Sequence, residues 1–348
     1  MNETPRYTTR NNLAVDFDDG LRSTTTSAGT TTTIVDTARV ERDSHWKGAE
    51  AAFLDGTLIG VTARVTASVA TGTLTIPTQS GAPGSGASYD LFKNFSIRQY
   101  NDAIDLAIQR AQGIHWIPML WDGLVIVANQ YDYALPVRTR LTITLAASGS
   151  TTLILDSTAL THADNYWKGA RVVGRTGTAG NLGQVRNVIS SDSSDTQVTL
   201  DYALPSSPAS GDTYDILLPS MRYIYHVEYL PTGAITPVAI SLRDYSIVPR
   251  HIPYIRFHAN HTPPVGSTVR IFGLRYPEPP AHDRDPIEVP DDYCLNLARW
   301  QLLRSRPQRE ELKLDSDGVN KREAWEKSQL DLQRNALRKP ATAKRVVP

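Results

Sequence analysis

The first residues in this chain whose types could do chemistry are three closely spaced histidines. His251, His258 and His261 lie within one short segment, and imidazole nitrogens serve as metal ligands and acid–base groups. In an extended strand His258 and His261 point to opposite faces, and no cysteine or carboxylate stands at a ligand-like spacing. We therefore predict no metal site and no cofactor, and interpret the cluster as solvated histidines at a strand end.

Two acidic segments also resemble fragments of carboxylate sites. The Asp-Arg-Asp of 283–285 lies among prolines, and the Asp-Ser-Asp-Gly of 315–318 lacks the remaining oxygen ligands of a calcium loop. The chain has no Gly-x-Ser-x-Gly elbow and no Gly-x-x-x-x-Gly-Lys phosphate loop. We predict no catalytic residues and no enzyme activity. The alternative is a hydrolase whose site is assembled by folding from His226, Asp244 and His251.

A Trp-Lys-Gly-Ala tetrapeptide occurs twice, at 46–49 and at 167–170. If its two indoles are exposed, they can stack on a sugar ring, because tryptophan combines a large apolar face with a polar edge. If they are buried, each indole anchors a small domain, and the glycine permits a tight turn. We favour the second interpretation. It gives four residues a structural role: Trp46, Gly48, Trp167 and Gly169.

The sequence around the tetrapeptide is duplicated as well. Residues 32–37 match residues 152–157 upstream, and residues 86–91 match residues 211–216 downstream, in the same order. Self-similarity of this kind indicates a repeated fold. In the first copy Ser-His replaces the Asn-Tyr that precedes the second tryptophan, and we expect the first copy to be one residue shorter at this point.

Several helices are predicted between and after these copies. Ser96 and Gln99 form a capping-box signature, and apolar residues recur at helical spacing from there to Gly113. A short helix can begin near Thr8. The prolines of 277–290 predict an extended segment. A helix follows it from Asp291 and stops at Pro307, with Cys294 buried and with Leu295, Ala298 and Leu302 on its inner face. A last helix is predicted over 319–338.

The expected fold class is α+β: a small helical core, a β-sheet portion, and two duplicated antiparallel modules that resemble a β-barrel or sandwich. Strand patterns over 223–229, 254–257 and 268–272 predict a sheet continuous with the strands of 124–136. The division that we expect is an N-terminal arm with a short helix (1–30), the first module (31–92), a core helix with the first strands (93–141), the inserted second module (142–218), a further β portion (219–290), C-terminal helices (291–339) and a basic arm (340–348).

Charge becomes informative only near the C-terminus. The whole chain of 348 residues has 36 basic and 36 acidic residues, so it is not a general polyanion binder. It has no apolar run long enough to span a membrane and no secretion signal, so we expect a soluble protein. From Arg299 onward, thirteen basic residues stand against seven acidic ones. We predict a docking arm for a protein partner, and the alternative is a solvated basic end. The basic residues of this arm are Arg334, Arg338, Lys339, Lys344 and Arg345.

The parts outside the duplication resemble the head-to-tail adaptor, or neck, proteins of tailed bacteriophages. The resemblance rests on the Asn-Asp-Ala-Ile of the core helix, on a strand end at 131–136, on a closing strand over 263–271, and on an exit through 277–280 and 289–293 into an Ala- and Leu-rich helix. The duplicated module is similar to small β domains of phage virion proteins. None of these motifs is a catalytic signature.

This resemblance implies a structural role in virion assembly. Members of the family form rings, commonly of about twelve subunits, that sit in the neck between the capsid and the tail after synthesis in the host cytoplasm. The expected partners are further copies of the chain, the portal protein and a tail, nozzle or terminator protein, with genomic DNA passing through without specific binding and with no membrane contact. The alternative is a tail or fibre protein that binds a host saccharide through its β modules.

Overall fold

The computed structural model describes residues 4–155, 159–162, 164–249, 252–305 and 344–345. The fold is α+β and rich in antiparallel strands. The chain forms two compact units, one of residues 1–111 and 278–336 and the other of residues 112–277 and 337–348. The predicted segment 93–141 is therefore divided, because its helix belongs to the first unit and its strands belong to the second.

The first unit contains three helices, α1 (Arg6–Asp16), α2 (Ile97–Ala111) and α3 (Asp291–Ser305). The predicted capping box of α2 is confirmed. The Gln99 amide donates to Ser96 Oγ at 3.2 Å, and the Ser96 amide donates to Gln99 Oε1 at 2.8 Å. These two bonds satisfy amides that a helix start leaves without a partner in the helix.

The three helices pack against one another through apolar faces. Tyr100, Ile104 and Ile108 are fully buried on α2, and Ala298 is fully buried on α3. The inner face of α3 differs slightly from the prediction, because Leu297 is buried whereas Leu295 is only half-buried. The helix is described as far as Ser305, and the proline that was expected to stop it lies outside the described residues.

The first module packs beside these helices and contains eight short strands. They form two sheets with the orders β1-β8-β4-β5 and β2-β3-β7-β6. Two of the strands precede residue 31, so strands of the module occur before its predicted boundary. The short helix predicted within 1–30 is present as α1. The strands are β1 (Gly20–Thr24), β2 (Ser27–Thr30), β3 (Thr33–Val35), β4 (Glu50–Phe53), β5 (Thr62–Arg64), β6 (Ala67–Val69), β7 (Thr73–Thr75) and β8 (Ser88–Phe92).

The second module repeats this arrangement in the second unit. Its strand order is β11-β16-β13-β14-β15-β12, and the long strand β14 occupies the place of β5 and β6 together. The module starts at Thr139, three residues before the predicted boundary. The strands are β11 (Thr139–Thr144), β12 (Leu153–Leu155), β13 (Arg171–Thr176), β14 (Val185–Asp192), β15 (Gln197–Leu200) and β16 (Thr213–Leu218).

The rest of the second unit consists of two sheets that share one core. Their orders are β18-β17-β21-β9 and β10-β20-β19. Met119, Ile224, Ile255 and Val269 belong to the same buried cluster, so the predicted single sheet is two sheets packed on a common interior. The strands are β9 (Ile117–Val125), β10 (Asp132–Ala134), β17 (Tyr223–Leu230), β18 (Val238–Ile240), β19 (Tyr245–Val248), β20 (Tyr254–Phe257) and β21 (Thr268–Arg275).

Segments near the end of the chain complete the description. The proline-rich segment 277–290 contains no helix or named strand, as predicted. The predicted last helix over 319–338 lies outside the described residues. A two-residue strand, β22 (Lys344–Arg345), follows near the C-terminus. Among the described residues, no helix has the length and apolar character needed to cross a lipid bilayer.

Candidate interaction surfaces

The two Trp-Lys-Gly-Ala segments form the same turn. In each copy the tryptophan amide donates to a serine hydroxyl, Trp46 to Ser68 at 3.0 Å and Trp167 to Ser191 at 3.2 Å. The alanine amide in each copy donates back to the tryptophan carbonyl at 3.0 Å and 2.9 Å. The glycines have φ values of 90° and 80°, which only glycine adopts readily. The duplication therefore extends to individual hydrogen bonds.

The turns also have the same length, contrary to the expectation that the first is one residue shorter. Asp43 and Asp164 occupy equivalent positions, since each accepts a backbone amide from the opposing loop at 2.8 Å and 2.9 Å. Ser44 and Asn165, the next residues, have matching φ values of 63° and 59°. Asp43-Ser44-His45 thus takes the place of Asp164-Asn165-Tyr166 without a deletion.

Both indoles are buried, as the structural interpretation predicted. Trp46 is 9% exposed and Trp167 is 1% exposed. Each lies in the core of its module, beside equivalent fully buried residues such as Tyr89 and Tyr214. Neither indole presents an open face on which a sugar could stack. The two tryptophans therefore act as anchors that hold the turn to the sheets.

The turn of the second module lies against strand β9. The Lys168 ammonium is 2.8 Å from the Asp122 carboxylate. A Cβ added to Gly169 would lie 3.0 Å from the Leu120 carbonyl oxygen, and one added to Gly123 would lie 2.8 Å from the Asn165 carbonyl oxygen. Two glycines therefore allow two backbones to approach closely while an ion pair fixes the contact. This arrangement covers β9, the edge strand of its sheet, whose backbone groups would otherwise be open to pairing with another chain.

A cavity of about 420 Å³ adjoins this contact, between β9 and the second module. Basic and acidic side chains both line it, among them Lys168, Arg171, Arg275, Asp122 and Asp201. Asp122 binds Lys168, and Asp201 accepts hydrogen bonds from Asn187 at 2.9 Å and 2.7 Å. Because these carboxylates already bind groups of the protein, the lining indicates an interface within the unit.

The same turn in the first module faces outward. Lys47 and Gly48 are exposed, and the nearest heavy atom to a Cβ added at Gly48 is Arg64 Nη2 at 3.9 Å. Within the described part of the chain, no carboxylate lies within ion-pair distance of Lys47. One copy of the turn is therefore seated on a strand, and the other is open to solvent in the described structure.

The predicted basic arm is described only at two of its residues. Lys344 and Arg345 form β22, which pairs antiparallel with β17 so that Ile224 is opposite Lys344 and Tyr223 is opposite Arg345. Arg334, Arg338 and Lys339 lie outside the described residues. The arm thus reaches a sheet edge, a contact that its charge pattern did not predict.

The histidine cluster does not form a metal site in the described residues. His251 lies outside them, and the groups searched include no set of three potential ligands. His261 Nδ1 is 3.4 Å from the Asp244 carboxylate, and the His258 amide donates to the Asp244 carbonyl at 2.9 Å. The hydrolase alternative proposed His226 and Asp244 for one site. In the structure His226 lies 3.3 Å from Glu228, and Asp244 contacts His261 instead of His226.

The segment 283–285 has structural partners for each of its charged side chains. Asp283 accepts from Arg10 at 2.5 Å and from Arg6 at 3.1 Å. Arg284 Nε donates to the Leu54 carbonyl at 3.2 Å, and Asp285 accepts the amides of the turn before it. The corresponding acidic segment at 315–318 lies outside the described residues.

Burial and neighbouring charges shift the pKa values of two groups in the first unit, Asp283 and Cys294. Burial alone would raise the pKa of Asp283, but the guanidinium groups of Arg10 and Arg6 outweigh it and hold the pKa below its usual value. Burial raises the pKa of Cys294 to about 12, assisted by the charges of Asp291 and Asp105. Cys294 is therefore a protonated, unreactive thiol at neutral pH.

Sequence patterns did not identify Arg10, Asp90 or Asp122 as important residues. Arg10 and Asp90 are fully buried, and Arg22 binds Asp90 at 2.8 Å. A lone aspartate in an apolar strand, as in the Trp-Asp-Gly of β9, is the one local signal that could have marked Asp122. The partners of Arg10 and Asp90 are distant in sequence, so no local pattern reveals them.

The chain matches no protein-family model, and a search of curated proteins gives no significant match. Function is therefore inferred from the duplicated modules, the sheet edges and the charged groups described above.

Proposed function

We propose that this protein is a structural virion component that forms a ring-shaped head-to-tail adaptor between the portal and the tail of a bacteriophage, and that it is not an enzyme. The order of elements supports this function. Helix α2 is followed by β9 and β10, then by β21, a proline-rich segment and α3, which is the order that the resemblance to neck proteins implies. The second module interrupts this series between β10 and β17.

The way the second module attaches is the observation that carries the proposal. Its turn is seated on β9 by the Lys168–Asp122 ion pair and by the approach of Gly169 to Leu120. The module is thus a fixed part of the second unit and covers one of its edges. A rigid accessory domain of this kind suits a component whose role is to hold other proteins in place.

Burial of both indoles weighs against the alternative of a saccharide-binding tail or fibre protein. That alternative requires at least one exposed aromatic platform in a module, and Trp46 and Trp167 lie in module cores. The most exposed aromatic side chain of the second module, Tyr202 at 74%, has no equivalent tyrosine in the first module.

Infection with a phage that lacks the gene for this protein distinguishes the two functions. Without an adaptor, heads and tails are made but do not join, so we expect separate heads and free tails by electron microscopy. A fibre or host-binding protein gives the opposite result, since complete tailed particles form and fail to adsorb. Tailed particles in normal numbers would contradict the adaptor function.

A further inference from the structure

Two different strands, β18 and β22, pair with different parts of one edge of β17. On one side β17 pairs with β21 along its whole length, whereas on the other side β18 pairs only with Val227–Tyr229. The start of the strand, at Tyr223 and Ile224, pairs instead with β22. Unpaired edge groups attract an extended segment, and main-chain hydrogen bonds supply the affinity. The start of β17 is therefore an acceptor site for a strand.

This acceptor is held rigidly by its own unit. Ile224 is fully buried in the shared core. The Tyr223 ring packs edge-on against Trp116, with ring centroids 4.6 Å apart, and Trp116 in turn contacts Tyr276 at 4.8 Å. A preorganised edge binds a strand at a smaller entropic cost than a flexible one. Little of the binding free energy is spent on ordering β17 itself.

The link between the donor strand and the body of the chain is long. The last described residue of α3 is Ser305, in one compact unit, and β22 begins at Lys344 in the other, so 38 residues of sequence separate them. A chain segment of this length can span on the order of 100 Å when it is extended. The link therefore does not restrict β22 to the edge of its own copy.

We propose that adjacent copies exchange this strand, so that Lys344–Arg345 of one subunit pairs with Tyr223–Ile224 of the next. The proposal rests on the ring assembly proposed above. A closed ring requires two unlike surfaces that meet between neighbours, and a terminal strand with its acceptor edge is such a pair. Neighbours in a ring hold each other's strands at an effective concentration in the millimolar range, which lets a contact of two residues contribute to assembly.

Proline substitution tests whether the backbone pairing matters. Lys344→Pro with Arg345→Pro removes two amide donors and two positive charges, while Lys344→Gln with Arg345→Gln removes only the charges. We expect the proline variant to need about tenfold more protein for half-maximal ring formation by mass photometry, and the glutamine variant to assemble normally. Equal assembly of the proline variant and the wild type would overturn the proposal.

Disulfide trapping tests which copy receives the strand. Tyr223 and Arg345 are opposite each other, so Tyr223→Cys and Arg345→Cys introduce one pair of facing thiols. The native Cys294 is fully buried and does not compete with them. Oxidation of assembled rings should give a ladder of covalent multimers on a non-reducing gel. Cross-linked monomers alone, or no cross-link, would contradict exchange.

The two tests separate this proposal from the adaptor function. If the wild-type protein forms rings with its portal but the disulfides form within one chain, the exchange is wrong and the adaptor function stands. If the wild type forms no rings at all, the adaptor function itself fails. The proline variant retains Tyr223, so the result does not depend on how well the cysteine variant folds.

Discussion

The ammonium group of Lys168 lies 2.8 Å from the Asp122 carboxylate and joins the second Trp-Lys-Gly-Ala turn to strand β9. Both side chains are largely shielded from water, with 29% and 16% of their area exposed. We expect a double-mutant cycle of Lys168→Met and Asp122→Asn to give a coupling free energy of about 0.5–1 kcal/mol, measured by urea denaturation.

Lys47 provides the matched control for this pair. It occupies the equivalent position in the first module and is exposed, so Lys47→Met should change the free energy of unfolding by less than about 0.5 kcal/mol. A coupling near zero for Lys168 and Asp122, or an equal cost for Lys47→Met, would show that the seated turn is not held by this ion pair.

The two turn glycines allow a second matched comparison. Gly48 and Gly169 both have positive φ, so an alanine at either position costs about 1 kcal/mol of backbone strain. A Cβ at Gly169 also meets the Leu120 carbonyl at 3.0 Å, whereas one at Gly48 meets nothing closer than 3.9 Å. We expect Gly169→Ala to destabilise its module more than Gly48→Ala, measured by hydrogen exchange of each module's strands. Equal effects would contradict the close contact with β9.

The hydroxyl groups that bind the two tryptophan amides should have equal importance. Ser68 and Ser191 are buried and each accepts one amide. Replacing either serine by alanine leaves a backbone amide without its partner, at a cost of about 1–3 kcal/mol. Ser85→Ala, at an exposed serine, is the control and should cost less than about 0.5 kcal/mol. Clearly unequal costs at Ser68 and Ser191 would argue against equivalent turns.

The sequence predicted those parts of the fold that depend on local or repeated patterns. Helix α2 was predicted because Ser96 and Gln99 mark its start, and the second module because its residues match those of the first. Strand β1 was not predicted because Gly20–Thr24 has no alternation of apolar and polar residues, and its strand conformation depends on pairing with β8. The Lys168–Asp122 contact was missed because it joins a module to a different sheet.

The free energy of unfolding should depend on acid pH through the buried ion pairs of the first unit. Asp283 has a pKa below its unfolded-state value, so its ionised form stabilises the folded protein. This contribution is complete above the usual aspartate pKa of about 3.9 and is lost as the pH falls through the lower folded-state value. We expect the free energy of unfolding to decline below about pH 4, and Asp283→Asn to remove part of that decline.

Asp105 acts in the opposite direction. Burial raises its pKa despite the partly compensating charge of Arg6, 3.3 Å away. Ionised Asp105 therefore destabilises the folded state, and this penalty disappears as the pH falls from the raised folded-state pKa to the usual aspartate value of about 3.9. Asp105→Asn should remove this rise in stability above about pH 4 and leave the decline below pH 4 in place. If the pH profile of Asp283→Asn matches that of the wild type, the ion pair does not contribute as described.

Arg10 is the residue on which this network depends most. It is fully buried, within 2.5 Å of Asp283 and 4.0 Å of Asp90. Arg10→Met leaves both carboxylates without this cation, and loss of one partner of a buried pair costs about 3–5 kcal/mol. Arg98→Met, which removes an exposed i,i+4 partner of Asp102, should leave stability almost unchanged. A small effect of Arg10→Met in thermal denaturation would contradict the proposed role.

Electron microscopy of the purified protein mixed with its portal tests the adaptor function most directly. The adaptor function predicts a closed ring of about twelve copies bound at one end of the portal. A protein that remains monomeric or trimeric and leaves the portal unoccupied would contradict it.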